Sequence, residues 1–148
     1  MKNNLLTKED IILICLDDPE KLTVDIQNNK ILRSDEMREL VCLFNDARNA
    51  YWYAEEIDNE IPHILTRKVA CLEPFWAYQY ALRIDKKPRK DTRTAACALE
   101  WLAFRYAENV DKKPRNETRR ASKGTWSIDY RKWEEEYWKS FQINYHYK

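Results

Sequence analysis

A tandem repeat with a period of about 26 residues is the feature that most restricts how this chain can fold. Residues 77–96 and 103–122 match at 11 of 20 positions without a gap, and residues 50–70 align with both after one inserted residue near Asn59. A unit this short cannot bury an apolar face alone, so neighbouring units have to stack on one another. The sequence therefore predicts an array of similar small units.

Each unit has the pattern of a helical hairpin. It opens with A-x-x-Y-A-x-x-[I/V], which places its apolar residues at the i, i+3, i+4 and i+7 spacing of one helix face. An aspartate and then a proline follow, and proline ends one helix but suits the first turn of the next. These prolines are Pro62, Pro88 and Pro114. Short second helices are predicted at residues 64–71, 91–98 and 117–123, which makes residues 50–122 three hairpins.

The segment before the repeats is predicted to form acidic helices over residues 1–49. Thr7 and Ser34 have the residue type and context of helix N-caps. The helix that begins at Asp35 is predicted to run to about Asp58 and to merge with the first repeat.

After the repeats, residues 125–148 are predicted to form a helix and a tail. Aromatic side chains fall on one stripe of this helix, at Trp126, Tyr130, Trp133, Tyr137 and Phe141. We interpret the stripe as the buried face of a capping helix that seals the stack. The alternative is an exposed aromatic groove or a dimer seam. The whole chain is thus predicted to be one all-α domain.

Composition excludes several classes of catalytic and cofactor site. Gly124 is the only glycine, whereas phosphate-binding loops, dinucleotide folds and nucleophile elbows need glycine where the backbone approaches a ligand. Neither histidine, His63 nor His146, has a ligand-like partner nearby in sequence, and a capping or surface role suits His63. No metal, cofactor or enzymatic activity is predicted, although Glu55, Glu56 and Glu134–Glu136 include neighbouring carboxylates.

Cysteine placement and hydropathy predict a cytoplasmic protein. The four cysteines recur at nearly the repeat period, which suits small packed thiols better than a zinc site with paired C-x-x-C ligands. The N-terminus has no export signal and no run of 18 apolar residues occurs, so neither secretion nor a membrane span is predicted.

Charge is distributed unevenly although the net charge is +1. Residues 1–60 hold 7 basic and 14 acidic residues, and residues 83–123 hold 13 basic and 6 acidic residues. The repeated sequence D-K-K-P-R, at residues 85–89 and 111–115, forms what we call the basic turns. Stacking would align them into a positive stripe, for which the predicted contact residues are Lys86, Lys87, Arg89, Lys90, Arg93, Lys112, Lys113, Arg115, Arg119 and Arg120.

The repeat units, A-Y-x-Y-A followed by P and T-R-x-A-A, resemble short tandem repeats of small bacteriophage and mobile-element proteins. The resemblance spans about residues 46–122. It implies an accessory protein that binds and blocks a host enzyme, such as a CRISPR effector or another defence nuclease, inside the host cytoplasm. The lysine-rich turns depart from the usual pattern of these repeats.

The sequence favours a non-enzymatic inhibitor that docks through the basic stripe on a protein of a host defence or nucleic-acid-handling complex. One alternative is direct binding of nucleic acid by the same residues. The other is self-association, in which the acidic half of one copy meets the basic half of another. Solvated turns without a partner would explain the same charges, and the oligomeric state stays open.

Overall fold

The computed structural model describes residues 4–146, with side chains described as far as Phe141. Within that range the chain is all-α, as predicted, with no β-strand. No helix there is long and apolar enough to cross a membrane. The helices are α1 (Lys8–Asp17), α2 (Pro19–Gln27), α3 (Asp35–Leu43), α4 (Ala47–Trp52), α5 (Ile64–Ala70), α6 (Pro74–Gln79), α7 (Lys90–Ala96), α8 (Glu100–Tyr106), α9 (Asn116–Ala121) and α10 (Thr125–His146).

The first helix of every repeat ends in a π-helical segment. These segments continue α4, α6 and α8 and span Tyr53–Ile57, Tyr80–Asp85 and Ala107–Asp111. The tyrosine and the aspartate of a unit are five residues apart, a spacing that puts them on different faces of an α-helix. A π turn bonds residue i to i+5 and brings the two back towards one face. Both side chains can therefore reach the preceding short helix.

Buried tyrosines join each unit to the one before it. The Tyr80 hydroxyl lies 2.8 Å from the Thr66 hydroxyl, and the Tyr106–Thr92 and Tyr130–Thr118 pairs repeat that distance. Each tyrosine oxygen also accepts a hydrogen bond from the backbone N–H of the residue that precedes the short helix. These hydroxyls are satisfied inside the stack, as buried polar groups must be.

Arginine–aspartate pairs form a second set of contacts between units. Arg67 donates to both carboxylate oxygens of Asp85 at 2.6 and 2.9 Å, and Arg93 binds Asp111 with the same distances. The aspartates are buried, and hydrogen bonding to Asp111 raises the pKa of Arg93. Fork-like pairing of this kind fixes orientation as well as charge, so it holds adjacent units in register.

The predicted merger of residues 35–58 into one helix is wrong. Asn45 takes a left-handed conformation (φ 53°), and Asp46 then caps α4 by accepting a hydrogen bond from the Asn49 backbone at 3.0 Å. The break makes α3 the equivalent of a second helix, and its Arg38 binds Asp58 at 2.7 and 2.8 Å. The stack therefore begins before the first recognisable repeat.

Predicted helix starts are confirmed in part. Thr7 and Ser34 are the N-caps of α1 and α3, and His63 caps α5 by accepting a hydrogen bond from the Leu65 backbone at 3.1 Å. The three repeat prolines were predicted in the first turn of the second helices, but each lies one residue before the N-cap. Each proline ring therefore restricts the backbone of the turn before the helix, and not the first turn of the helix itself.

The last helix is a cap along only part of its length. Trp126, Tyr130 and Trp133 pack around Phe104 of α8, with ring centroids 6.1 to 6.2 Å apart. Tyr130 takes the place of a repeat tyrosine, and Glu134 takes the place of the aspartate by binding Arg119. These two are four residues apart because α10 has no π segment. Farther along, Trp138 and Phe141 are each 53% exposed.

Candidate binding site at the basic turns

The basic turns have a backbone that lysine rarely adopts. Lys86 and Lys112 each follow a π segment and take a left-handed conformation with φ of 53°. Such a conformation costs a residue with a β-carbon about 1–2 kcal/mol, and asparagine or glycine usually supplies it. It reverses the chain between the two helices of a hairpin and directs the lysine outward.

Elsewhere the chain mostly uses the expected residues at such positions. Left-handed conformations occur at Asn29, Asn45, Asn59 and Gly124, and Glu60 is the other exception within the described residues. Backbone strain that a more suitable residue would relieve points to a role for the side chain. The lysines at 86 and 112 are therefore candidates for functional residues.

The structure divides the ten predicted contact residues into three groups. Arg93 is buried against Asp111 and belongs to no exposed surface, so its inclusion in the stripe is corrected. Arg89 and Arg115 are half-buried and lie 3.2 and 3.0 Å from the carboxylates of Asp85 and Asp111. The exposed residues are Lys86, Lys87, Lys90, Lys112, Lys113, Arg119 and Arg120.

Intramolecular carboxylates neutralise two of those exposed residues. Arg119 binds Glu134, and the ammonium of Lys86 lies 2.7 Å from the Glu60 carboxylate. Among the described side chains, no carboxylate lies within ion-pair distance of Lys87, Lys112 or Lys113. Lys90 and Arg120 likewise have no such partner, and three of these five unpaired charges, Lys87, Lys112 and Lys113, lie on the basic turns.

The two turns enclose a small cleft between the second and third units. Its walls are Lys86 and Lys87 on one side and Asn109 and Lys112 on the other. Three apolar side chains complete the lining: Ala81, Leu82 and Val110. The volume is about 200 Å³, below the range of roughly 300–1,000 Å³ that holds a drug-sized ligand. The cleft accommodates one anionic group and a few attached carbons.

Two of the candidate carboxylates have structural partners, and the thiols are unreactive. Glu55 pairs with Arg83 at 2.9 Å, and Glu134 is occupied by Arg119. All four cysteines are free, and burial raises the pKa of the Cys42, Cys71 and Cys97 thiols to about 12. A thiol in that state is a poor nucleophile at neutral pH. No cluster of three or more potential metal ligands occurs among the described residues.

The sequence correctly predicted that the lysines of the basic turns are exposed, but it wrongly placed Arg93 on the same surface. One signal was available: Thr-Arg recurs at residues 66–67, 92–93 and 118–119, and Arg67 and Arg93 each precede their aspartate partner by 18 residues. A pair that recurs in every unit is a packing feature, whereas the lysine turns occur in two units only. No known protein-family model, curated protein or solved structure matches the chain.

Proposed function

We propose that this protein is a non-enzymatic binding protein that docks on an acidic surface of a protein partner through its basic turns. The contact residues are Lys86, Lys87, Lys112 and Lys113. The observation that carries the proposal is that two adjacent turns each begin with a left-handed lysine and together hold three unpaired lysines, Lys87, Lys112 and Lys113. Charge of this kind raises association rates and selects partners of opposite charge.

The surroundings of the basic turns favour a protein partner over nucleic acid. Glu60 borders the lysines on the side of the first unit, and Glu108 lies on the same helix as Asn109. Carboxylates beside the site limit the positive surface to two turns, which suits a short acidic segment better than a phosphate backbone that continues past them. Leu82 and Val110 add apolar contacts that a peptide can use and a phosphate cannot.

Charge reversal tests the proposal. The variant Lys86→Glu/Lys87→Glu/Lys112→Glu/Lys113→Glu is compared with a control of equal net charge, in which the exposed residues Lys21, Lys68, Lys132 and Lys139 become glutamate. Immobilised protein is exposed to lysate, and captured proteins are identified by mass spectrometry. We expect a specific acidic partner to be lost with the turn variant and kept with the control.

Two outcomes would contradict this function. Equal loss with both variants would mean that only net charge matters, and equal retention would place the interface elsewhere. Fluorescence anisotropy with labelled DNA and RNA at low and near-physiological salt tests the alternative function, direct binding of nucleic acid. Binding that persists at physiological salt and needs the four lysines would make nucleic acid the ligand. That the partner is a host defence complex stays a prediction from the sequence resemblance.

A further inference from the structure

The junction between the first and second units shows how this fold neutralises a left-handed lysine. The ammonium of Lys86, in the second unit, donates a hydrogen bond to the Glu60 carboxylate of the first unit at 2.7 Å. Beside it, Arg83 of the second unit pairs with Glu55 of the first at 2.9 Å. Both cations are therefore met by carboxylates that the preceding unit supplies. Lys86 lowers the pKa of Glu60 below its ordinary value, as expected for a carboxylate that accepts a hydrogen bond from an ammonium.

The junction between the second and third units lacks both carboxylates. By the repeat alignment, Lys112 stands where Lys86 stands and Asn109 where Arg83 stands. Leu82 replaces Glu55, and a lysine, Lys87, replaces Glu60 across the inserted residue. Lys112 consequently faces Lys86 and Lys87 across the cleft instead of a carboxylate. The first junction thus carries a filled anion position beside its left-handed lysine and the next a vacant one, although the turn of the first unit is one residue longer.

The vacant position is shaped for one acidic side chain. Asn109 is held in place because its Nδ2 donates to the Tyr78 hydroxyl at 3.0 Å, and the second N–H of that amide can donate to an anion. Lys87 and Lys112 line the cleft without a carboxylate partner, Lys86 lines it with its ammonium on Glu60, and Leu82 and Val110 add apolar surface. A carboxylate carried on methylene groups complements that lining better than a phosphate without attached carbons.

We infer that the cleft binds a glutamate or aspartate carboxylate from an acidic peptide segment of the partner, in the position that Glu60 occupies at the first junction. The inference rests on the proposed function and names the chemical group that the basic turns recognise. Glu60 is the internal template: it shows that a carboxylate can be held by a left-handed lysine of this fold without another cation at ion-pair distance.

The test uses a fluorescein-labelled hexaglutamate peptide, amidated at its C-terminus, and the full-length protein. Lys87→Glu installs a carboxylate opposite Lys112 and so fills the cleft from within. We expect it to weaken peptide binding about tenfold or more, because an attraction is replaced by a repulsion and Lys112 is occupied. Lys112→Gln, which introduces no new charge, should also weaken binding. Lys132→Glu on α10 is the matched control and should reduce affinity far less.

The reverse substitution makes the first junction resemble the second. Glu60→Lys removes the internal carboxylate from Lys86 and opens a second cleft, so we expect binding to tighten, about threefold. Amide chemical shifts in a titration should change first at Ala81, Asn109 and Lys112. Circular dichroism melts verify that each variant is folded, and all the substituted side chains lie on the surface.

The outcomes separate this inference from the proposed function. If Lys87→Glu and Lys112→Gln leave peptide binding unchanged while the four-lysine reversal abolishes partner capture, the turns bind but the cleft does not. If neither set of variants matters, both ideas fail. If a hexathymidylate strand binds the cleft more tightly than hexaglutamate at the same salt, phosphate is the preferred ligand and the carboxylate assignment is overturned.

Discussion

The buried arginines and the exposed lysines belong to the same repeat but have different roles. Arg67 and Arg93 each bind an aspartate inside the stack, and this pairing recurs with the same distances at successive junctions. Lys86 and Lys112 directly follow those aspartates on strained turns, and their surroundings differ between the junctions. The arginine–aspartate contacts are the same at both junctions and hold the array together. Specificity for a partner can arise at the positions where the units differ.

Removing a buried carboxylate should have the largest effect. Asp111→Ala leaves Arg93 with no acceptor at the junction, so the free energy of unfolding should fall by about 3–5 kcal/mol. Urea denaturation followed by circular dichroism measures it. Glu135→Ala, on an exposed part of α10, is the control and should stay within about 0.5 kcal/mol of wild type. A small loss for Asp111→Ala would show that the pair does not hold the units together.

Removing one buried hydroxyl should have an intermediate effect. Tyr106→Phe deletes the partner of the Thr92 hydroxyl and of the Arg89 backbone N–H, which are 2.8 and 3.1 Å away. Leaving such groups unsatisfied costs about 1–3 kcal/mol. The same urea experiment tests this, with Tyr137→Phe on the far part of α10 as the comparison. Equal effects of the two substitutions would contradict a special role for the Tyr106 hydroxyl.

A substitution on the turns should act in the opposite direction on stability. Lys112→Asn relieves the left-handed backbone and should raise the free energy of unfolding by up to about 1 kcal/mol. It also removes an ammonium from the cleft, so hexaglutamate binding should weaken. Lys113→Asn is the neighbouring control, because Lys113 has no left-handed backbone to relieve. Greater stability together with weaker binding would show that strain is kept for function.

The smallest expected effect is on the titration of Glu60. Its pKa lies below the ordinary value of 4.5 because Lys86 donates a hydrogen bond to the carboxylate. The folded state then gains stability above the pKa of the unfolded chain and loses it as the pH falls through the folded pKa. NMR titration of the Glu60 side chain should show the pKa rising towards 4.5 in Lys86→Gln. An unchanged pKa would mean that the internal template is absent in solution.

The all-α class, the hairpin repeat and the lysine pairs could be predicted from the sequence because they are local signals. Spacing of i, i+3, i+4 and i+7 specifies a helix face within one unit, and D-K-K-P-R marks an exposed turn wherever the units pack. His63 as a capping residue also followed from its place beside Pro62. The break at Asn45 was missed because one residue in a left-handed conformation interrupts an otherwise continuous helical pattern.

Only the tertiary structure decided which basic residues of the short second helices face solvent. Arg93 and Lys90 are both basic residues of one short helix, yet the first is buried on Asp111 and the second is exposed. That difference depends on a π turn, which rotates the aspartate of the following unit towards the arginine 18 residues earlier. Contacts of this kind form between units, where no periodicity within a unit can specify them. The sequence by itself determined the helical hairpins. Their stacking determined which charged side chains are buried in ion pairs and which are exposed and free to bind a partner.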